Sequence, residues 1–231
     1  MKNTIYVLKQ PRKGCHDIWN AFMTKGAVYS HNDIPICPST ASIIPKGLID
    51  YTMTKHISHP EFFVHFYIDD YKFDGKHGIW QEPEKALERL LPYAGVITPD
   101  FSTYQDMPEP LKIYNTFRCR AFGYWLTTQG IPVINNVRWG TPETYWYCFD
   151  GIPLHSTVAI GTVASGLREI RNRKRFETGL AEMVRRIAPY VIIVYGSSNY
   201  DCFDVLKSSG IAIITFPSKT ASAFKERRHD E

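Results

Sequence analysis

The sequence predicts an α/β fold in which short parallel strands alternate with helices. Three observations carry that expectation. The apolar runs Val64–Ile68, Gly95–Ile97, Pro132–Ile134, Val158–Ile160, Val191–Val194 and Ile211–Ile214 are continuous rather than alternating, as in strands covered on both faces of a parallel sheet. Each run leads into polar residues: Asp69-Asp70, Thr98-Pro99-Asp100, Asn135-Asn136, Gly161-Thr162, Tyr195-Gly196-Ser197-Ser198 and Thr215. Helical patterns separate the runs, with no Asn-Gly hairpin signal between them.

Taken in order, Thr4–Leu8 and Ile34–Cys37 are the first two strand candidates, with His16–Thr24 and Lys46–Lys55 as their helices. Pro35 and Pro38 weaken the second strand, because proline donates nothing to a ladder. Pro83–Leu91 reads as a helix with proline early and Leu87, Leu90 and Leu91 on one stripe. Glu109–Thr128 is a longer helix that Gly130 closes. Phe176–Ile187 places Leu180, Met183, Val184 and Ile187 at helical spacing before Pro189, and Cys202–Ser208 is a short helix ending near Gly210. Eight strand–helix units in 231 residues suit a small (β/α)8-like barrel, whose usual size is roughly 250 residues. A doubly wound parallel sheet of six or seven strands fits almost as well, because strand order is not written in one sequence; the barrel is favoured by a small margin. No Gly/Ser- or Pro-rich linker interrupts the chain, so residues 1–217 read as a single α/β domain. Residues 218–231 are charged, with few apolar anchors, and read as a frayed tail.

With 44% hydrophobic and 22% charged residues, the chain has the composition of an ordinary globular protein. A net charge of +4 permits a polyanionic partner without demanding one. The five cysteines are odd in number and scattered, with no C-x-x-C pair, which argues against a disulfide framework or zinc knuckle. No 18-residue apolar stretch occurs and the first residues lack a signal-peptide core, so a cytoplasmic protein with no membrane contact is expected. His56 and His59 precede Pro60, and no H-E-x-x-H is present, so the histidines lack metal-ligand spacing. His65 falls inside a strand and reads as a core group.

In parallel α/β folds, ligands bind outside the carboxyl ends of the strands. Neighbouring strand ends lie about 5 Å apart, so the Asp69/Asp70 pair and Asp100 could face one another. Asp70 and Asp100 are candidate catalytic carboxylates and candidate ligands for a divalent metal ion. That ion is the one cofactor considered, since no nucleotide-cofactor fingerprint is visible. The plainer role for either carboxylate is to cap a helix or turn.

The densest polar stretch is Asn135–Glu143. Arg138 could grip a phosphate through paired hydrogen bonds, or pair with Asp100 or Asp70. Asn136 could bind substrate, Trp139 could stack on a base or sugar, and Glu143 could act as acid or base, or begin a helix with Thr141. Tyr195 and Ser197 are further substrate-binding candidates, since the glycine–serine turn after a strand can offer N–H groups to an anion. Ser197 lacks the G-x-S-x-G setting of a nucleophile. Asn115 and Arg118 share a helix face among aromatics, as a buried network or an anion site. Arg168, Arg171, Arg173, Lys174 and Arg175 form the one basic cluster, a solvated face or a phosphate-tracking patch. Tyr145–Phe149 reads as core packing, with no sign of an activated Cys148.

Six segments, in order, resemble motifs of a protein family of phages, prophages and Firmicutes known as a domain of unknown function. They are His65–Asp70, Thr98–Ser102 with Asp106-Met107-Pro108, Asn136–Gly140, Cys148–Gly151, Ala159–Thr162 and Val194–Ser197, and the similarity covers roughly residues 17 to 217. A Gly-Cys pair expected shortly after Thr162 is replaced by Val163-Ala164-Ser165-Gly166, which removes a candidate thiol. The resemblance implies a phage-associated context. Together with the strand-end residues it leads to the expectation of an enzyme of hydrolysis type acting on a nucleotide, nucleic acid or other phosphorylated compound. A non-catalytic binder of nucleic acid, a signalling nucleotide or a host protein is the alternative.

Overall fold

A computed structural model describes residue 17 and residues 19–39, 44–163 and 165–219. Seven strands form one sheet: β1 (Leu48–Asp50), β2 (Phe63–His65), β3 (Gly95–Ile97), β4 (Val133–Asn136), β5 (Thr157–Gly161), β6 (Val191–Tyr195) and β7 (Ala212–Phe216). Each pairs in parallel with the next, in sequential order. The helices are α1 (Pro83–Leu90), α2 (Glu109–Thr128), α3 (Tyr145–Cys148), α4 (Ile170–Ile187) and α5 (Asp201–Ser208). Sequential order excludes the doubly wound alternative, which needs a point where the order reverses. Connections of one hand between neighbours send all helices to one face and leave the other face free to curl.

The curl is set by inward side chains. Leu48, Phe63, Ile97, Ile134, Ala159, Ile193 and Ile214, one from each strand, meet in a single apolar cluster. The sheet wraps around this face, which brings the His65 ring on β2 within 4.3 Å of the Tyr195 ring on β6, four strands away. Outward residues alternate with these. Val64, Val96 and Val133 pack with Ala86 and Leu90 of α1 and with Phe122 and Leu126 of α2. Val158, Ile160, Ile192 and Val194 pack with Phe176, Leu180, Met183 and Ile187 of α4 and with Phe203 of α5. The result is an α/β half-barrel that stays open, since β1 and β7 are not hydrogen-bonded to each other among the described residues.

Four early expectations need correction, and one lies outside the described residues. Of the His16–Thr24 helix, the described residues form only the 3-10 turn Ala21–Thr24. Ile34–Cys37 is not a strand; Tyr29 and Pro35 form only an isolated antiparallel bridge, as proline would dictate. Lys46–Lys55 is not a helix. Leu48–Asp50 joins the sheet edge in register with Phe63–His65, and Asp50 then accepts the Thr52 backbone N–H at 3.0 Å to start a 3-10 turn. Thr4–Leu8 lies outside the described residues. Helix α4 begins at Ile170 rather than Phe176, so Arg171, Arg173, Lys174 and Arg175 occupy its first turns and Arg168 precedes it.

Candidate functional site

Alternation along β2 turns His65 and Tyr67 to the concave face, at the carboxyl end of the strand. The loops that follow β2 and β3 supply Asp70, Asp100 and Ser102, and β4 with its extension supplies Asn136 and Arg138. These side chains form two adjacent hydrogen-bonded groups, one centred on Asp100 and one on Asp70. Asn136 Nδ2 donates to Asp100 Oδ1 at 2.8 Å, and Arg138 Nη1 donates to Asp100 Oδ2 at 2.7 Å. Tyr67 donates its hydroxyl to Asn136 Oδ1 at 3.0 Å. Close by, Asp70 accepts from Ser102, from the hydroxyl at 2.9 Å and the backbone N–H at 3.2 Å. Behind Ser102, Asn115 donates to its carbonyl at 2.5 Å, while Arg118 donates to Asn115 at 2.6 Å and to Asp74 at 2.8 Å. The Asn115–Arg118 pair is therefore a buried network that supports the site from α2.

An aromatic wall flanks the network. Tyr195, at the end of β6, stacks on Tyr67 with centroids 5.2 Å apart and meets the His65 ring at 4.3 Å. Gly161 makes this approach possible, because a Cβ there would lie 2.8 Å from Tyr67. Beyond His65, the buried Asp50 of β1 forms an ion pair with Lys219, just after β7. The two sheet edges are thus tied by charge where the backbone ladder does not close.

The electrostatics give the groups different states. Burial pushes the Asp70 carboxyl up; Asp100 adds to this, while Ser102 and Arg138 oppose it. Asp100 holds Arg138 above its already high range, with Asp70 and Tyr104 contributing. Burial, with the charge of Asp100, keeps the Tyr67 hydroxyl well above its usual range, so it remains a donor. Arg138 keeps 36% side-chain exposure, against 16% for Asp100. Its remaining N–H groups can therefore reach a ligand while Asp100 holds it from behind. A carboxyl whose pKa is raised by burial, beside a partly open guanidinium, is an arrangement suited to anion binding and proton transfer.

Other sequence-derived candidates lie outside this network. Trp139 packs against Phe149 and Phe176, at 6.1 and 5.2 Å between centroids, and against α4 at Gly179. Its ring serves as packing between β4 and α4. A Cβ on Gly179 would lie 2.1 Å from Trp139, so Gly179→Ala should destabilise the fold by roughly 1–2 kcal/mol in urea unfolding. Alanine is otherwise favoured in a helix by up to about 1 kcal/mol, and a stabilised variant would refute this placement of Trp139. Glu143 is exposed in the 3-10 turn Pro142–Thr144, its carboxyl held low by a bond from Thr141. Ser197 is exposed, and its backbone is tied to Thr162 Oγ1 at 2.8 and 2.9 Å. Burial pushes the Cys148 thiol up to about 12, which keeps it protonated at neutral pH. Among the described residues, no three His, Cys, Asp or Glu side chains gather as a metal site. Sequence reasoning missed Tyr67 and Ser102; Tyr67 carried a signal, being two residues along from His65 on the inward face.

The fold and site define a parallel α/β half-barrel with a charged, aromatic-walled network at the strand carboxyl ends. A family model described as Domain of unknown function (DUF4417) matches residues 27–217, and the chain belongs to that family. It is 33% identical over 208 residues to the Gene 1 protein of Mycobacterium phage D29, covering 88% of this chain and 73% of the phage protein. It is 33% identical over 196 residues to the Gene 1 protein of Mycobacterium phage L5, covering 83% of this chain and 82% of that protein. No solved structure matches the chain. No helix among the described residues is long and apolar enough to cross a membrane.

Proposed function

We propose that this phage-related chain is a cytoplasmic enzyme that hydrolyses a bond in a nucleotide, nucleic acid or other phosphorylated compound at the open end of its half-barrel. The observation that carries this reading is Arg138, held on Asp100 at 2.7 Å yet still partly open to solvent. Its free N–H groups bind a phosphoryl oxygen. Asp70, whose carboxyl is pushed up by burial, takes a proton from the attacking water as the water oxygen bonds to the reacting atom and returns it to the leaving oxygen as the scissile bond breaks. Asp100 and Asn136 position Arg138, and the Tyr67–Tyr195 pair provides the apolar wall. Trp139, Glu143 and Ser197 play no part in the proton transfer; the last two lie on the exposed rim. The open half-barrel delivers these groups from successive strand ends, as closed parallel α/β barrels do.

The test is turnover on a panel of nucleotides, single- and double-stranded nucleic acids and sugar phosphates, with and without Mg2+. Asp70→Asn should lose about 10²–10⁴-fold in kcat, the usual range for a lost acid–base group. Arg138→Ala should raise KM as well as lower kcat, and melting temperatures should stay near that of the parent. A parent chain with no turnover that binds a panel member through Arg138 would replace the enzyme with the non-catalytic binder. Unfolding of both variants would show the network to be structural and overturn the proposal. Activity that appears only with Mg2+ and vanishes in Asp70→Asn and Asp100→Asn would assign these carboxylates to the metal instead.

A further inference from the structure

A groove of about 530 Å³ lies beside the network, between the segment following β4 and the first turns of α4. Pro142, Tyr145 and Ile170 supply apolar surface, while Arg171, Lys174 and Arg175 supply charge. Ile170 is 68% exposed, an unusual position for isoleucine at the start of a helix. The three cations lie at helical spacing on one face. Their charge is poorly compensated. Lys174 forms no ion pair among the described residues, Arg175 donates to the neutral Gln105 side chain at 2.9 Å, and Arg171 forms one solvent-exposed ion pair with Glu169 at 3.4 Å, a kind worth little. The other end of the same helix is the opposite case, since Arg185 and Arg186 both pair with Glu182 at 2.8 and 2.6 Å.

Helix energetics sharpen the contrast. Cations near a helix N-terminus oppose the macrodipole at roughly 0.3–1 kcal/mol each, and no acidic residue occupies the first turn of α4. These residues do not stabilise the helix where they stand. Gln105, which holds Arg175, belongs to the same β3–α2 loop as Asp100 and Ser102, and Gly140 follows Arg138 by two residues. The groove therefore adjoins the candidate active site.

We propose that this groove binds single-stranded nucleic acid, with phosphates on Arg171, Lys174 and Arg175 and the bases passing over Pro142 and Ile170. A positively charged groove that tracks the backbone is one part of sequence-tolerant strand binding and ring stacking is the other; with Tyr145 only 8% exposed, the phosphate contacts carry the binding here. The proposal deepens the reading above by selecting nucleic acid among the phosphorylated substrates, and it rests on that reading only for the strand leading toward Arg138.

The experiment is fluorescence anisotropy of the full chain with labelled mixed-sequence 12-nucleotide DNA and RNA at several salt concentrations. Three phosphate contacts on a single strand give a log–log salt slope near −2. The combined variant Arg171→Gln, Lys174→Gln, Arg175→Gln should weaken binding at least tenfold and flatten that slope, while Arg185→Gln with Arg186→Gln should change neither. The single variants repeat the test should the triple variant lose its cooperative melting. Asp70→Asn should bind the strand as the parent does, which separates this site from the proposed chemistry. No binding by the parent at 50 mM salt, tighter binding of duplex, or parental affinity in the groove variants would each overturn the proposal.

Discussion

Replacing Arg120 by methionine should lower the unfolding free energy by about 3 kcal/mol, measured by urea denaturation at pH 7.5. Arg120 is 2% exposed and has no ion pair among the described residues. Its charge is met by carbonyl dipoles instead. Nε donates to the Asp150 carbonyl at 2.9 Å, Nη1 to that of Asn136 at 2.9 Å and Nη2 to that of Cys148 at 3.2 Å. One guanidinium thereby joins the end of β4, the end of α3 and the turn before Gly151. Methionine fills a similar volume but strands three buried acceptors, each at roughly 1–3 kcal/mol. Release of the buried charge offsets part of that loss. Arg120→Lys keeps the charge but not the planar fork, so it should recover less than half of the difference. A methionine variant within 1 kcal/mol of the parent would show that the carbonyls find other donors and that Arg120 is not the brace described.

Acid should weaken the fold through His65 before the carboxylates titrate. His65 is buried between Tyr67 and Tyr195, and its Nδ1 accepts the Tyr67 backbone N–H at 3.2 Å. Protonation would cancel that bond. Burial, with a contribution from Lys219 and against the opposing pull of Asp50, pushes its pKa down to about 4. The unfolded chain takes up this proton near pH 6.5. Between those values the unfolded state binds more protons, so stability is fully present above about pH 6.5 and falls as the pH drops toward 4. Over that window the loss approaches roughly 3 kcal/mol, with about 2 kcal/mol already gone at pH 5. His65→Gln should flatten the profile between pH 5 and 7. Asp50, where Lys219 and Thr52 outweigh burial, is held low and so loses its contribution only below the His65 window. Asp70 is shifted the other way and gains stability on protonation, which shallows the acid limb. A parent profile that is flat from pH 7 to 5 would place His65 in contact with solvent and contradict the packing of the aromatic wall.

Much of the architecture is legible locally. The apolar runs ending at Ile68, Ile97, Ile134, Ile160, Val194 and Ile214 all contribute to strands of the parallel sheet; burial on both faces explains the first five, while β7 is an edge strand that is only partly covered. Helix α2 runs over Glu109–Thr128 as read, and Gly130 follows it with φ of +80°. Edge strand β1 is different. Leu48-Ile49 is too short to carry a pattern, and only its register with Phe63-Val64 makes it a strand. Among site residues, the pairing of Arg138 with Asp100 was one of two readings available from the sequence. Choosing between them required knowing that Asn136 and Arg138 converge on one carboxylate from the end of β4.

What the sequence determined by itself is the alternation of strand and helix, the parallel character of the sheet and the delivery of polar residues to one rim. Each follows from side-chain chemistry within about ten neighbouring residues. Tertiary structure alone decided that the sheet curls without closing, that Trp139 is wedged against Gly179 rather than facing a ligand, and that Lys219 reaches Asp50. The physical reason is range. Curl depends on the summed volume of seven inward side chains, and the Asp50–Lys219 pair joins the two edges of the sheet, far apart in sequence, a range over which no local pattern carries information.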